Sequence, residues 1–509
     1  MKLLEKNNKP KFPGLSALRF EVDEKRHSKL SRSWDTTSWE FFVSIEVAKV
    51  IFMFAIHRAV HCDTEDDFLT KIRDIVKNDH QIFGCLDLLT IDESELSDKG
   101  NALSLIEAYK RARRLFGIFK TKCTDKMEDF IEIMQNFGDQ IRQYGHVLPV
   151  ADEEHSPANM LILPEAIRRL IKAYRIAHNE RHFVIDAFRN PYEVEFFKRR
   201  YNEFYLIAVQ RPQDEIKRAL KNMSDNAVDK IQNRERGGKG EDGKSKEIHK
   251  RITSQNIEEC LQKADIFINN IYDNTTTYPN LRYHLIRFLC LAKLPGVIPP
   301  DCDERHMQLA MTAKQNSGCL SRHVGAIVVN KKGYVLGVGW NDPPRGQIPC
   351  TFRTASALTE GMDPKMFSDY ETSSTFIAHI ESKNYGDTPF CFKDEYKTIK
   401  SKSFNEFTRS VHAEENALLQ ALANSSTEHL EGGTIYTTDS PCTLCSKKAY
   451  QLGIERIVYI EEYPGIAMQQ TLNIGEKAIR QEQFQGITGS AYFRLFSSLM
   501  NEKDFLELK

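Results

Sequence analysis

No stretch of this 509-residue chain is apolar for long enough to read as a membrane span. The greasiest run, "FFVSIEVAKVIFMFAI" at 41–56, carries Glu46 and Lys49. It reads as a buried helix. The opening "MKLLEKNNKPKFPG" has no apolar core of signal-peptide length. Charge of one sign is not in excess either. Lysine and arginine total 70 and the acids 71, a net −1. That balance argues against a large sequence-blind nucleic-acid surface, while a local basic patch stays open. Internal repeats are missing. Eleven cysteines without an export signal point to reduced thiols or metal ligands and not to a disulfide framework. The expectation is a cytoplasmic protein with no membrane partner.

What is present is a soluble globular mixture, 41% hydrophobic and 28% charged, long enough for two or three domains. One segment departs sharply from it: "NRERGGKGEDGKSKEIHKR" at 233–251 is charged, glycine-rich and nearly without apolar residues. Such a stretch cannot bury enough surface to offset its ordering entropy. Pro295, Pro299 and Pro300 then punctuate the chain. The expected division is 1–295 and 296–509.

Inside the charged segment, "GKGEDGKS" at 238–245 has the spacing of a phosphate-binding P-loop. A working P-loop sits between a buried strand and a helix, which aim the loop and add a positive dipole end. Upstream stands "NAVDKIQNRERG", which has no strand pattern. The match therefore lacks its context and reads as a solvated loop.

Residues 181–212, "RHFVIDAFRNPYEVEFFKRRYNEFYLIAVQRP", read as strand, helix opening at Pro191, and strand. That is a βαβ unit with a parallel sheet. A further helix and strand follow in "SQNIEECLQKADIFINN". This order resembles the P-loop nucleoside- and nucleotide-monophosphate kinases, with 233–251 as the lid. The resemblance covers roughly residues 120–275 and implies a kinase-like parallel sheet with helices. It departs from the family in having no strand, P-loop and helix near the start of the chain. A generic α/β domain without a nucleotide site is the alternative.

The sharper signal lies further on. "VHAEENALLQAL" and "TDSPCTLCSKKAYQLGIERIVYI" place His412, Glu414, Cys442 and Cys445 in the pattern of zinc deaminases. Cys442 and Cys445 are three apart at a predicted helix start, so both can face one point. A helix N-terminus lowers thiol pKa. "GTIYTTD" and "RIVYI" flank that helix as strands, putting the cysteines at the carboxyl end of a parallel strand. Two thiolates and one imidazole supply three ligands to Zn²⁺ and leave one position for water, whose pKa zinc lowers to roughly 7. Glu414, beside the metal, can carry protons. The bland alternative, half of a structural zinc site, lacks its second Cys-x-x-Cys. Glu415 reads as a solvated helix residue.

The chain ahead of these landmarks, "SGCLSRHVGA" and "GWNDPPRG" within 304–350, resembles the deoxycytidylate deaminases. The resemblance spans roughly 303–465 and implies a three-layer α/β/α domain binding Zn²⁺. It also implies that Asn341 contacts the sugar and the Ala413 backbone the pyrimidine. Ser440 is counted with the substrate-binding residues. Arg322 and Arg345 are candidates for the phosphate, because guanidinium forks match phosphate oxygens. The insert between Cys350 and His412 carries Cys391, and in some members it holds a second zinc; Cys350 and Cys391 are weak candidates beside the reading as ordinary buried thiols. A kinase-like half joined to such a deaminase is similar to bacterial two-domain deaminases that deplete deoxycytidine nucleotides during phage infection. That implies dCMP or dCTP as substrate, a nucleotide or RNA regulator for the first half, and a homo-oligomer. A deaminase acting on single-stranded DNA or RNA, and a catalytically silent zinc-stabilised sensor, are the competing readings.

Overall fold

The computed structural model describes residues 3–14, 21–62, 66–77, 82, 86–90, 94–124, 127–149, 153–211, 216, 223–235, 252–270, 278–363, 365–400, 408–462, 467–498 and 503–504. The P-loop-like stretch 238–245 lies outside these. Packing divides the chain into Met1–Ala264 with Asn270–Lys293, and Asp265–Asn269 with Leu294–Lys509. Among the described residues no helix is long and apolar enough to cross a membrane, and the ten described cysteines are free.

The first unit is mainly helical. Helices Val47–His61, Lys99–Cys123, Met127–Tyr144 and Ile162–His178 share one apolar core around Phe52, Ile56, Tyr109, Phe119, Ile141 and Leu170. The greasy run at 41–56 is not a single helix: strand β1 (Val43–Glu46) precedes the helix starting at Val47. β1 pairs in parallel with β2 (Phe183–Asp186). This corrects the expected βαβ unit, because β3 (Ile207–Gln210) lies outside the two-stranded β1–β2 sheet. The reason is local. Val43 and Ile45 are β-branched and alternate with Ser44 and Glu46, which suits a strand, yet this four-residue alternation is short and runs straight into the apolar helix that follows. The helix Pro191–Arg200 does open at Pro191, with Asn190 Oδ1 accepting from Tyr192 N at 2.9 Å. Its Glu193 accepts from Arg142 Nε at 2.8 Å with both groups buried.

In the second unit β4 (Ile266–Asn269) pairs antiparallel with a two-residue strand at the far end of the chain. The main sheet has β5 (Gly325–Val329), β6 (Val335–Trp340), β7 (Thr434–Asp439), β8 (Arg456–Glu461) and β9 (Arg480–Gln483), in spatial order β6-β5-β7-β8-β9. β5 and β6 form the hairpin expected around Lys332–Gly333, and Gly333 has φ +81°. β7, β8 and β9 run parallel.

Helices cover both faces. On one, Gly325 faces the helix Cys302–Ala313: a Cβ there would stand 2.1 Å from Ala310 O. Side chains alternate along a strand, so Ala326 and its partner Gly339 face the other way. There the helix Ala413–Asn424 lies almost on the strand backbone, with Ala413, Ala417 and Ala421 buried in the shared core. The helix Thr443–Gln451 adds Ala449 to the same core. The result is the expected three-layer α/β/α arrangement.

Gly337 and Gly339 make the close approach possible. A Cβ at Gly339 would lie 2.2 Å from Ala413 O and 2.3 Å from Ala417 N. Backbone cannot yield as a flexible side chain can, so Gly339→Val is expected to destabilise this unit by about 1–3 kcal/mol or more. Because Ala413 follows His412, it should also lower bound zinc. Chemical denaturation and metal content on one preparation check both; unchanged values for both would refute the packing argument.

Candidate active site

The sheet delivers two helix starts to one place. His412 is the N-cap of the helix Ala413–Asn424, with extended backbone at φ −69°, ψ 150°. Cys442 is the N-cap of the helix Thr443–Gln451, at φ −67°, ψ 170°. Cys445 lies within the first turn of the second helix and is buried. His412 Nδ1 stands 3.4 Å from Cys442 Sγ and 3.5 Å from Cys445 Sγ. All three donor atoms lie within 4.8 Å of one another. Bond lengths of about 2.0–2.1 Å for Zn–N and 2.3 Å for Zn–S at tetrahedral angles put N and S roughly 3.6 Å apart. The residues therefore fit zinc.

The thiols are already divided in acidity. Cys442 is pulled down to about 4, first because the Cys445 thiol donates to it, then through His412. Cys445 is pushed up as that donor, with burial adding to the effect. His412 is raised chiefly by its contact with Cys442. Glu414 is 4% exposed. Its carboxyl is raised to about 7, chiefly by burial and less by the charges of Cys442 and Asp439, against its backbone hydrogen bond and the charge of His412. Such a group can both accept and give a proton near neutrality. Glu415, next along, is turned away and pairs with Lys448, tying the two helices together.

These groups open into a cavity of about 620 Å³, mouth included, whose wall contains His412, Ala413, Glu414 and Cys442. Asn341, Ser440 and Arg322 line it too. Asn341 is committed to the backbone: its Oδ1 accepts from Val324 N at 2.7 Å and its Nδ2 donates to Arg322 O at 2.6 Å. Ser440 N donates to Glu461 O at 2.8 Å. Arg322 pairs with buried Asp439 at 3.1 Å and approaches buried Glu461 at 3.5 Å. Arg345 is exposed in a turn and is not part of the wall.

Sequence reasoning missed Cys319, Ser321 and Asp439, although they stand inside the quoted "SGCLSRH" and "TDSPC" stretches. It also missed Lys393, Thr408 and Ser410, which the insert supplies to the wall. No motif marks them. Among the described residues, Cys350 and Cys391 do not belong to a three-donor metal cluster. Cys350 receives a contact from Arg409 at 3.7 Å, and burial pushes the Cys391 thiol up to about 12. The insert has its own apolar core of Leu358, Phe367, Phe376, Ile380 and Phe390. Beside it, the wholly buried Arg353 donates to Glu371 at 2.5 Å and to Met366 O at 2.8 Å.

The profile of the family described as "Cytidine and deoxycytidylate deaminase zinc-binding region" matches residues 300–461. The deoxycytidylate deaminase of Enterobacteria phage T4 is 33% identical over 170 residues, 31% of this chain and 76% of that protein. That of Mycobacterium phage D29 is 33% identical over 163 residues, 32% of this chain and 97% of that protein. A solved dCMP deaminase of the cyanophage S-TIM5, in complex with dCMP and dUMP, is 27% identical, covering 37% of this chain and 99% of that one, with a TM-score of 0.24. Through residues 300–461 the chain belongs to the zinc-binding cytidine and deoxycytidylate deaminase family.

Because two thiolates and one imidazole would hold the metal, losing any one should release it. Cys442→Ala is expected to reduce zinc from one per chain to near zero and to abolish turnover. Metal analysis after gel filtration checks it, and stoichiometric zinc in the variant would rule out this ligand set.

Proposed function

We propose that residues 294–509 hydrolyse the 4-amino group of a free deoxycytidine nucleotide, dCMP first, giving dUMP and ammonia. The observation that carries this reading is a buried carboxylate, Glu414, two residues from the histidine of a three-donor cluster, in the wall of one cavity with His412 and Cys442. The relatives named above are deoxycytidylate deaminases, which supports the same substrate class.

His412, Cys442 and Cys445 would hold zinc, which supplies Lewis acidity and lowers the pKa of water at an open position to roughly 7. Glu414 takes a proton from the attacking water. It passes that proton to the ring N3 of cytosine as the oxygen adds at C4, then takes the remaining hydroxyl proton and passes it to the amine, so that the C4–N bond breaks, the C4=O bond forms and ammonia leaves. A pKa held near neutrality by burial suits both transfers. The backbone of Ala413, in the cavity wall, would read the pyrimidine edge. Asn341 holds the segment ending in Val324 against β6, and so shapes the sugar side of the cavity.

The reading extends to dCTP as a second substrate, to a regulatory, nucleotide-handling role for the first unit, and to nucleotide depletion during phage infection. These rest on the two-part organisation and its resemblance to bacterial defence deaminases. Turnover of dCMP and dCTP compared with a single-stranded oligonucleotide separates this reading from base editing. Activity confined to the oligonucleotide would overturn it.

Glu414→Gln tests the mechanism, since it keeps shape and removes the ionisable oxygen. It should retain zinc and dUMP binding while turnover falls by about 10²–10⁴ or more. Zinc content, binding and rate on one preparation decide the matter; full activity would mean another group carries the proton.

A further inference from the structure

We propose that Lys393 binds the phosphate attached to the 5′ oxygen of the nucleotide, an inference that rests on a nucleotide being the substrate. The cavity has an electrostatic difficulty that its other cations do not resolve. Arg322 faces two buried acids, Asp439 and Glu461. That guanidinium is engaged by the two acids, so it is not presented to a phosphate. Arg345 is exposed and outside the wall. Arg409 is spent elsewhere, donating to Ile348 O at 3.2 Å and Gln347 Oε1 at 3.4 Å.

Lys393 is different. It stands at the start of the helix Phe392–Lys400, half-buried and in the cavity wall. Among the described residues it forms no ion pair. Thr408 and Ser410 line the same cavity and carry hydroxyl donors. An ammonium and two hydroxyls make a subsite for a compact, strongly charged anion. All three come from the insert between β6 and the helix Ala413–Asn424. Its chain returns to the sheet at the Asp342–Val411 bridge, with Val411 N donating to Asp342 O at 2.9 Å. The insert thus supplies the residues that distinguish a nucleotide from a nucleoside, while the core domain supplies those that act on the base.

Charge-assisted hydrogen bonds to phosphate set the expected effect at about ten- to a hundredfold. The experiment uses the full-length zinc-loaded enzyme with Lys393→Met and Lys393→Arg. For the methionine variant the KM for dCMP and the Kd for dUMP should both rise by that factor, with kcat within about threefold and zinc unchanged. The arginine variant should restore most of the affinity. A merely structural lysine would lower kcat or thermal stability instead, and that result overturns the proposal, as does an unchanged KM or an arginine variant no better than methionine. Wild-type enzyme inactive on dCMP would overturn the substrate reading itself before any variant is compared.

Discussion

Three metal-ligating atoms from two chain segments thirty residues apart must meet within a few ångströms, and the second unit is organised around holding them there. Neither the histidine nor the first cysteine sits inside a helix. Each is an N-cap, with extended backbone that turns its side chain across the end of its own helix. Two such caps can face each other only if their helices start at the same edge of the sheet and lie side by side. Parallel β7 and β8 fix the second helix, and the glycines of β6 let the first come close enough. The Glu415–Lys448 pair joins the two on the outer side. Backbone packing, more than any single polar contact, therefore sets the donor separations.

The same arrangement explains the acidity of the site. Helix starts favour negative charge, and here one carries a thiolate while the other carries a carboxylate. Glu414 is removed from water by the first turn of its helix, so it does not ionise as readily as an exposed acid. Asp439 and Glu461 at the ends of the parallel strands add negative charge that Arg322 partly offsets. A catalytic corner of this kind draws a cation toward its donors and leaves the recognition of an anionic substrate to residues further out.

How much of this could be read from the letters follows from how local each signal is. His412, Glu414, Cys442 and Cys445 form a short pattern, so the meeting of the three donors beside Glu414 was legible, and the α/β/α layers followed from the resemblance. The β5–β6 hairpin was legible for the same reason, through its alternation and Gly333. The first unit was harder. The run at 41–56 opens with a four-residue alternation, Val43 to Glu46, too short to stand out beside the apolar helix after it, and its partner strand lies 140 positions away, which no local pattern reports. Arg322 and Arg345 look alike as letters. Burial and partners divide them, one locked to two acids and the other in solvent. Lys393, Thr408 and Ser410 belong to no motif at all, and only the folded insert brings them to the cavity.

The central claim is a metal with two sulfur and one imidazole ligand and one position left for water. X-ray absorption at the zinc edge of the purified full-length protein tests it without any substitution. The account predicts two sulfur scatterers at about 2.3 Å and two lighter scatterers, nitrogen and oxygen, at about 2.0–2.1 Å. Three or four sulfurs around the zinc would identify a closed structural site, and the catalytic reading of this corner would be contradicted.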